Sequence, residues 1–170
     1  MLAQTMDQLH KIGFTGEFID NESTLMWGKL VFLGPLALST TAADKTIGEL
    51  VSNPELWTNL QACVREACTV GSAEGAKLNF DVVIKAILAL PASMKSSMQK
   101  DVEQGRLPEV DAIGGGIARA ADRHNIPAPA TTRTALPNKR SSWCTKPSRR
   151  RQRPTSPASP TSWRWSSTRR

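Results

Sequence analysis

No stretch of this 170-residue chain alternates apolar and polar residues over a useful length. Little in it can therefore form a half-buried strand. Cysteine is scarce: Cys63, Cys68 and Cys144 are an odd number without metal-ligand spacing. Five residues span roughly 140° of a helix, so Cys63 and Cys68 share neither a face nor a zinc geometry. Both read as small buried hydrophobes in a reducing compartment, and no metal is expected. The first residues lack the apolar core of a signal peptide. The most apolar run, residues 25–43, is broken by Lys29, Gly34 and Pro35. Its uninterrupted part, residues 30–38, falls short of the roughly 20 residues of a spanning helix, so no membrane is expected.

Negative charge is missing from one end. Residues 1–129 hold all 15 acidic and 11 of the 22 basic residues, a net −4. Residues 130–170 hold the other 11 basic residues and no acid, a net +11. The overall +7 describes neither part. After Pro129 the chain has one Leu and no Val, Ile, Phe or Met. Such a segment cannot bury enough apolar surface to offset its ordering entropy. The expected organisation is a helical domain over 1–131 and a basic, disordered Arg/Ser/Pro-rich tail over 132–170. A GC-rich reading frame translated out of register gives the same tail composition. Eleven cations with Trp143, Trp163 and Trp165 also allow a nucleic-acid reading.

What is present is helical periodicity. Residues 2–12 form a short amphipathic stretch closed by Gly13. Asn21 or Ser23 can cap the next helix, in which Pro35 predicts a kink or break. Thr46 starts a turn of helix, and Asn53-Pro54 opens a longer one over 55–73. Further helices are expected over 80–90, 92–104 and 109–124. The last contains Gly114, Gly115 and Gly116, which cost roughly 2–3 kcal/mol against alanine in a helix interior. Close approach of another backbone would justify them. The fold class is all-α, a compact helical bundle.

Lys29 is the only charged residue from Thr24 to Ala43. Leu25, Met26, Phe32, Leu33 and Leu36 are its helical neighbours, so it sits on an apolar stripe. Two readings follow. Its methylenes can lie on the core edge with the ammonium in water. Alternatively it is partly desolvated and poised to give up a proton. Around Ser97 the sequence Ser93-Met-Lys-Ser-Ser97-Met-Gln-Lys-Asp101 reads as a polar helix face. Glu109 and Asp111 place two carboxylates in a first helical turn, where the dipole favours them. The glycine run lacks a preceding strand and the G-x-G-x-x-G spacing, so it is no dinucleotide fingerprint.

Taken in order, five segments resemble a known family: Trp27-Gly-Lys29-Leu-Val-Phe-Leu, Thr46-Ile-Gly-Glu-Leu, Ser93-Met-Lys-Ser-Ser97-Met-Gln-Lys-Asp101, Glu109-Val-Asp111-Ala-Ile-Gly-Gly115 and Asn125-Ile-Pro127-Ala-Pro129. Over roughly residues 1–130 they look like the C-terminal domain of ketopantoate reductase (2-dehydropantoate 2-reductase). The resemblance implies an all-α domain of the 6-phosphogluconate dehydrogenase C-terminal type. In the intact family it follows an NADPH-binding Rossmann domain, which is expected to be missing here, leaving this chain without a bound cofactor and inactive alone. It implies a cytoplasmic oxidoreductase of pantothenate biosynthesis acting on a 2-oxo acid such as 2-dehydropantoate. A separate Rossmann-domain chain or a homodimer would be the partner, and a non-catalytic helical interaction module is the alternative.

By the same resemblance Lys29 matches the proton donor and Glu109 the acid that positions it. Ser97 matches the serine that contacts the substrate carboxylate, and Asp111 belongs to the Glu-x-Asp pattern that closes the site. The chain departs from the family at Leu33 and Ala37, where familiar members carry asparagine. Gly114 likewise replaces an asparagine. A more apolar pocket is expected, with a different 2-oxo acid or a β-keto compound as a further candidate substrate.

Overall fold

The computed structural model of the protein describes residues 2–16 and 21–135. Among these residues there is no strand. The helices are α1 (Leu2–Lys11), α2 (Glu22–Ala43), α3 (Ile47–Ser52), α4 (Pro54–Ala73), α5 (Phe80–Leu88), α6 (Ser97–Glu103), α7 (Gly116–Arg123) and α8 (Pro129–Ala135). A π-helical turn over Asp111–Gly115 runs directly into α7.

The starts follow from capping chemistry, because the first N–H groups of a helix have no partner within it. The Asn21 side chain accepts from Thr24 N at 2.8 Å, and Asn53 accepts from Glu55 N and Leu56 N at 3.1 Å each. Thr46 and Glu49 form a reciprocal capping box at α3. The Glu49 carboxylate accepts from Thr46 N at 2.9 Å, and from Lys45 Nζ and Thr46 Oγ1 at 3.0 Å each. The Thr46 backbone bond, then the Lys45 and Thr46 side chains, hold Glu49 down to about 2 from an ordinary 4.5. A depressed carboxyl contributes stability above its unfolded pKa and loses it as pH falls through its folded one. Glu49→Gln should therefore destabilise near neutrality, and its deficit should fade between pH 4.5 and about 2. Urea unfolding of both proteins across that range checks this; a deficit independent of pH would refute it.

α2 and α4 are the central pair. α3, α5, α6, α7, α8 and the π turn pack around one or both. Trp27, Val31, Leu36, Leu50, Leu60, Val64, Val70, Ile87 and Ile117 form the main core. Each large apolar side chain removed from water contributes about 1.5–3 kcal/mol. By length and composition α2 is apolar enough to cross a membrane, yet half of that stretch is buried within the bundle.

The structure corrects several expectations. Of the kink or break expected at Pro35, the break is absent: α2 runs through that residue as one helix. The proline is fully buried, so packing offsets the lost backbone bond and ring clash of about 3 kcal/mol. α6 begins at Ser97, not Ala92. The Ala92 and Met94 carbonyls instead accept from Gly48 N at 2.8 Å and Ile47 N at 3.1 Å, capping α3 from outside. The helix expected over 109–124 contains the π turn. A Cβ on Gly114 would lie 2.7 Å from Ala135 Cβ and 3.2 Å from Leu38 Cδ1, so side chains of α8 and α2 make the approach.

The sequence boundary at 131/132 falls inside α8, whose Thr134 hydroxyl donates to Ala130 O at 2.8 Å. Residues 132–135 are thus helical. Glu66 of α4 caps this helix, accepting from Ala130 N at 2.9 Å and Thr131 N at 2.8 Å. That long-range carboxylate overrides the poor helix propensity of Pro129–Ala135. The remainder of the expected basic tail, from residue 136, and Cys144 lie outside the described residues.

Candidate active-site groove

The groove begins with the amphipathic geometry of α2. Residues three and four apart share a helix face. Met26, Lys29, Leu30 and Leu33 therefore form one stripe, which lines an open cavity of about 270 Å³ with Trp27, Gly34 and Ile113. Trp27 is only 9% exposed. Its ring is seated over Gly71 of α4, where a Cβ would come within 2.9 Å of Trp27 Cε3. Ile113 of the π turn packs against Gly34 and provides a second wall.

Among the described residues, Lys29 is the only charged side chain lining this groove. It is exposed, and it forms no ion pair with Glu109 among the described residues. The desolvated setting expected for a proton-donating lysine is thus not built by the described side chains. A molecule or surface covering the groove would create it. Glu109 is also exposed. Its backbone carbonyl accepts from Ile113 N at 3.1 Å, which puts it one turn ahead of the groove wall.

Ser97 and Asp111 are not drawn into the groove. Ser97 is the exposed first residue of α6, whose cap is the neighbouring Ser96. Ser96 Oγ accepts from Gln99 N at 3.1 Å and from the Thr40 hydroxyl of α2 at 2.9 Å. The packing of Met98 against Ala37 and Leu38 places α6 two turns along α2 from Lys29. At 1.5 Å per residue, Lys29 and Ala37 are about 12 Å apart along the axis. Asp111 is turned toward its own helix, accepting from Arg119 Nη1 at 3.0 Å.

The two positions where the sequence departs from the family separate here. Leu33 is 41% exposed and lines the groove, whereas Ala37 is buried in a cluster with Leu38 and Met98. Sequence reasoning found the stripe but missed Ile113 and the seat of Trp27. The signal available was Gly34, a glycine amid large apolar residues, which often marks close approach of another element.

Other chemistries find less support. Among the described residues no three His, Cys, Asp or Glu side chains are grouped to hold a metal. Burial pushes the Cys63 and Cys68 thiols up, away from the reactive thiolate. Gly114 is packed against Leu38 and Ala135, and Gly115 lies against Asp111 and Arg119, so this run cannot cradle a pyrophosphate.

A family model for the ketopantoate reductase PanE/ApbA C terminus matches residues 22–135. The 2-dehydropantoate 2-reductase of Archaeoglobus fulgidus is 27% identical over 128 residues, 75% of this chain and 43% of that protein. That of Halobacterium salinarum is 32% identical over 106 residues, 61% of this chain and 35% of that protein. The chain thus spans less than half the length of these relatives. The dimeric ketopantoate reductase of Staphylococcus aureus superposes with a TM-score of 0.69 at 24% identity, covering 79% of this chain and 49% of that one. That likeness shows the fold. The matched span contains α2 through α8, so the chain belongs to the ketopantoate reductase family and carries its all-helical C-terminal domain.

Proposed function

We propose that this domain binds the substrate and supplies the proton in an NADPH-dependent 2-oxo acid reductase of the kind that reduces 2-dehydropantoate to pantoate. The observation that carries the reading is Lys29, the sole charge among the described residues that line an apolar groove. Reduction of a ketone builds negative charge on its oxygen. An ammonium beside that oxygen stabilises the charge and can deliver the proton. A bound substrate covering the groove strengthens both effects by excluding water.

In this reading Glu109 positions the ammonium, and Ser97 takes the carboxylate of a substrate lying along α2. Asp111 contributes through its pair with Arg119, which braces the π turn carrying Ile113. The nucleotide comes from a domain outside the described residues, in the same chain or a partner; a homodimer is compatible with this arrangement.

The test is NADPH oxidation with 2-oxo acids by this domain joined to a nucleotide-binding domain. Glu109→Gln should lower kcat by less than the ~10²–10⁴-fold expected for losing a general acid, with KM little changed. An unchanged rate would remove Glu109 from the site. No turnover of any 2-oxo acid would overturn the reading itself.

A further inference from the structure

We infer that Arg119 is a positioning residue for the groove: by holding the main chain of the π turn it sets where Ile113 stands, and position 115 is glycine because this latch crosses it. The inference rests on the reading of the groove as the substrate site, and it adds a residue outside the groove that governs substrate binding there.

The latch follows from helical spacing. Asp111, Gly115 and Arg119 are four residues apart, so they share one face. Side chains on a helix lean toward its N-terminus, which aims Arg119 back over Gly115 at Asp111. Its Nη1 donates to Asp111 Oδ1 at 3.0 Å, and its Nη2 donates to the Asp111 backbone carbonyl at 3.2 Å. A Cβ on Gly115 would lie 2.5 Å from Asp111 Oδ1 and 2.8 Å from Arg119 Nη1, so a side chain there displaces the pair.

The two ends of the latch differ in anchorage. Arg119 stands on α7, which Ile117, Ala120 and Ala121 fix in the core. The π turn has no side-chain cap at Val110. Its Gly114 and Gly115, with Gly116 after them, restrain the main chain little. A bond to a carbonyl acts on that main chain directly. The same turn carries Ile113, which packs against Gly34 and lines the groove. The pair is 57% exposed at Arg119 and 91% at Asp111, so the latch is weak. Exposed ion pairs shift an equilibrium by up to about fivefold, and salt screens them. That changes how often a wall is in place without deciding whether the domain folds.

The full chain reports the latch through the Ile113 methyl and Gly34 amide signals in nuclear magnetic resonance. Arg119→Gln and Gly115→Ala should move both signals in the same direction. Sodium chloride at about 1 M should move the wild-type signals that way too. Gly115→Ala separates this role from a merely structural one, because alanine is the better helix former. With the chain joined to a nucleotide-binding domain, both variants should raise KM for the 2-oxo acid by about two- to fivefold. The value of kcat should change less, since Lys29 stays in place on α2. Loss of folded protein would instead lower the apparent kcat at constant KM. Arg119→Lys should recover part of the effect, because an ammonium keeps the charge but lacks the fork that spans carboxylate and carbonyl. Asp111→Ala should cost no more than Arg119→Gln, and the double variant no more than Arg119→Gln alone.

Unmoved Ile113 and Gly34 signals in both variants overturn the latch. Moved signals with an unchanged KM overturn its part in substrate binding. Full additivity of Asp111→Ala and Arg119→Gln overturns the link through Asp111. If the joined wild-type protein reduces no 2-oxo acid, the site reading fails and the positioning role with it, while the resonance signals still decide whether the latch exists.

Discussion

Lys29→Ala is expected to lower kcat for 2-oxo acid reduction by about 10²–10⁴-fold while leaving cofactor affinity nearly unchanged. The expectation comes from where the charge sits. Alkoxide character develops on the substrate oxygen only during reduction, so an ammonium at the groove edge acts more strongly on the transition state than on the bound ketone. The other groove residues offer no proton to replace it. Lys29→Arg should recover little, because a guanidinium keeps its positive charge but does not give up its proton near neutral pH. Steady-state reduction by the domain joined to a nucleotide-binding domain measures both. Near-normal turnover by Lys29→Ala would return this residue to a surface lysine resting its methylenes on apolar neighbours.

The largest loss of stability is expected for Leu60→Ala, at about 2–5 kcal/mol. Leu60 lies on α4, is 0% exposed and belongs to the main core. Truncation removes its burial and leaves a cavity that the surrounding helices can only partly close. With a urea m-value of roughly 2 kcal/mol/M, the unfolding midpoint should fall by about 1–2.5 M. Leu25→Ala is the matched control, because Leu25 is 52% exposed on the neighbouring helix. It should change stability by no more than about 0.5 kcal/mol. Equal losses for the two variants would mean that α4 is not the centre of the core.

Much of the helical framework was legible from local chemistry. Asn21, Thr46 and Asn53 are polar residues ahead of apolar periodic runs, and each caps the helix that follows. Capping is decided within four residues, so a sequence can display it. The errors occurred where a distant group settled the local conformation. Residues 92–96 have helix-compatible composition, but the Ala92 and Met94 carbonyls are taken by the N-terminus of α3. Residues 132–135 read as the beginning of a tail, and Glu66, more than sixty residues earlier, caps the helix that contains them.

The candidate site divides in the same way. The apolar stripe around Lys29 is a property of helical spacing and was visible before any tertiary contact was known. Glu109, Ser97 and Asp111 were placed with Lys29 through the family resemblance alone. Their arrangement in space is more dispersed, with Glu109 a turn from the groove wall, Ser97 farther along α2 and Asp111 paired with Arg119.

By itself the sequence determined an all-α domain, most of its helix starts and the isolation of one lysine on an apolar helix face, because these depend on neighbours within a turn or two. Only the tertiary structure decided that Leu33 faces the groove while Ala37 does not, that Ile113 forms a wall, and that the chain past Pro129 folds back as α8. Those outcomes depend on which side chains meet across helices, and helix-to-helix contact between residues tens of positions apart is set by packing, which no local periodicity encodes.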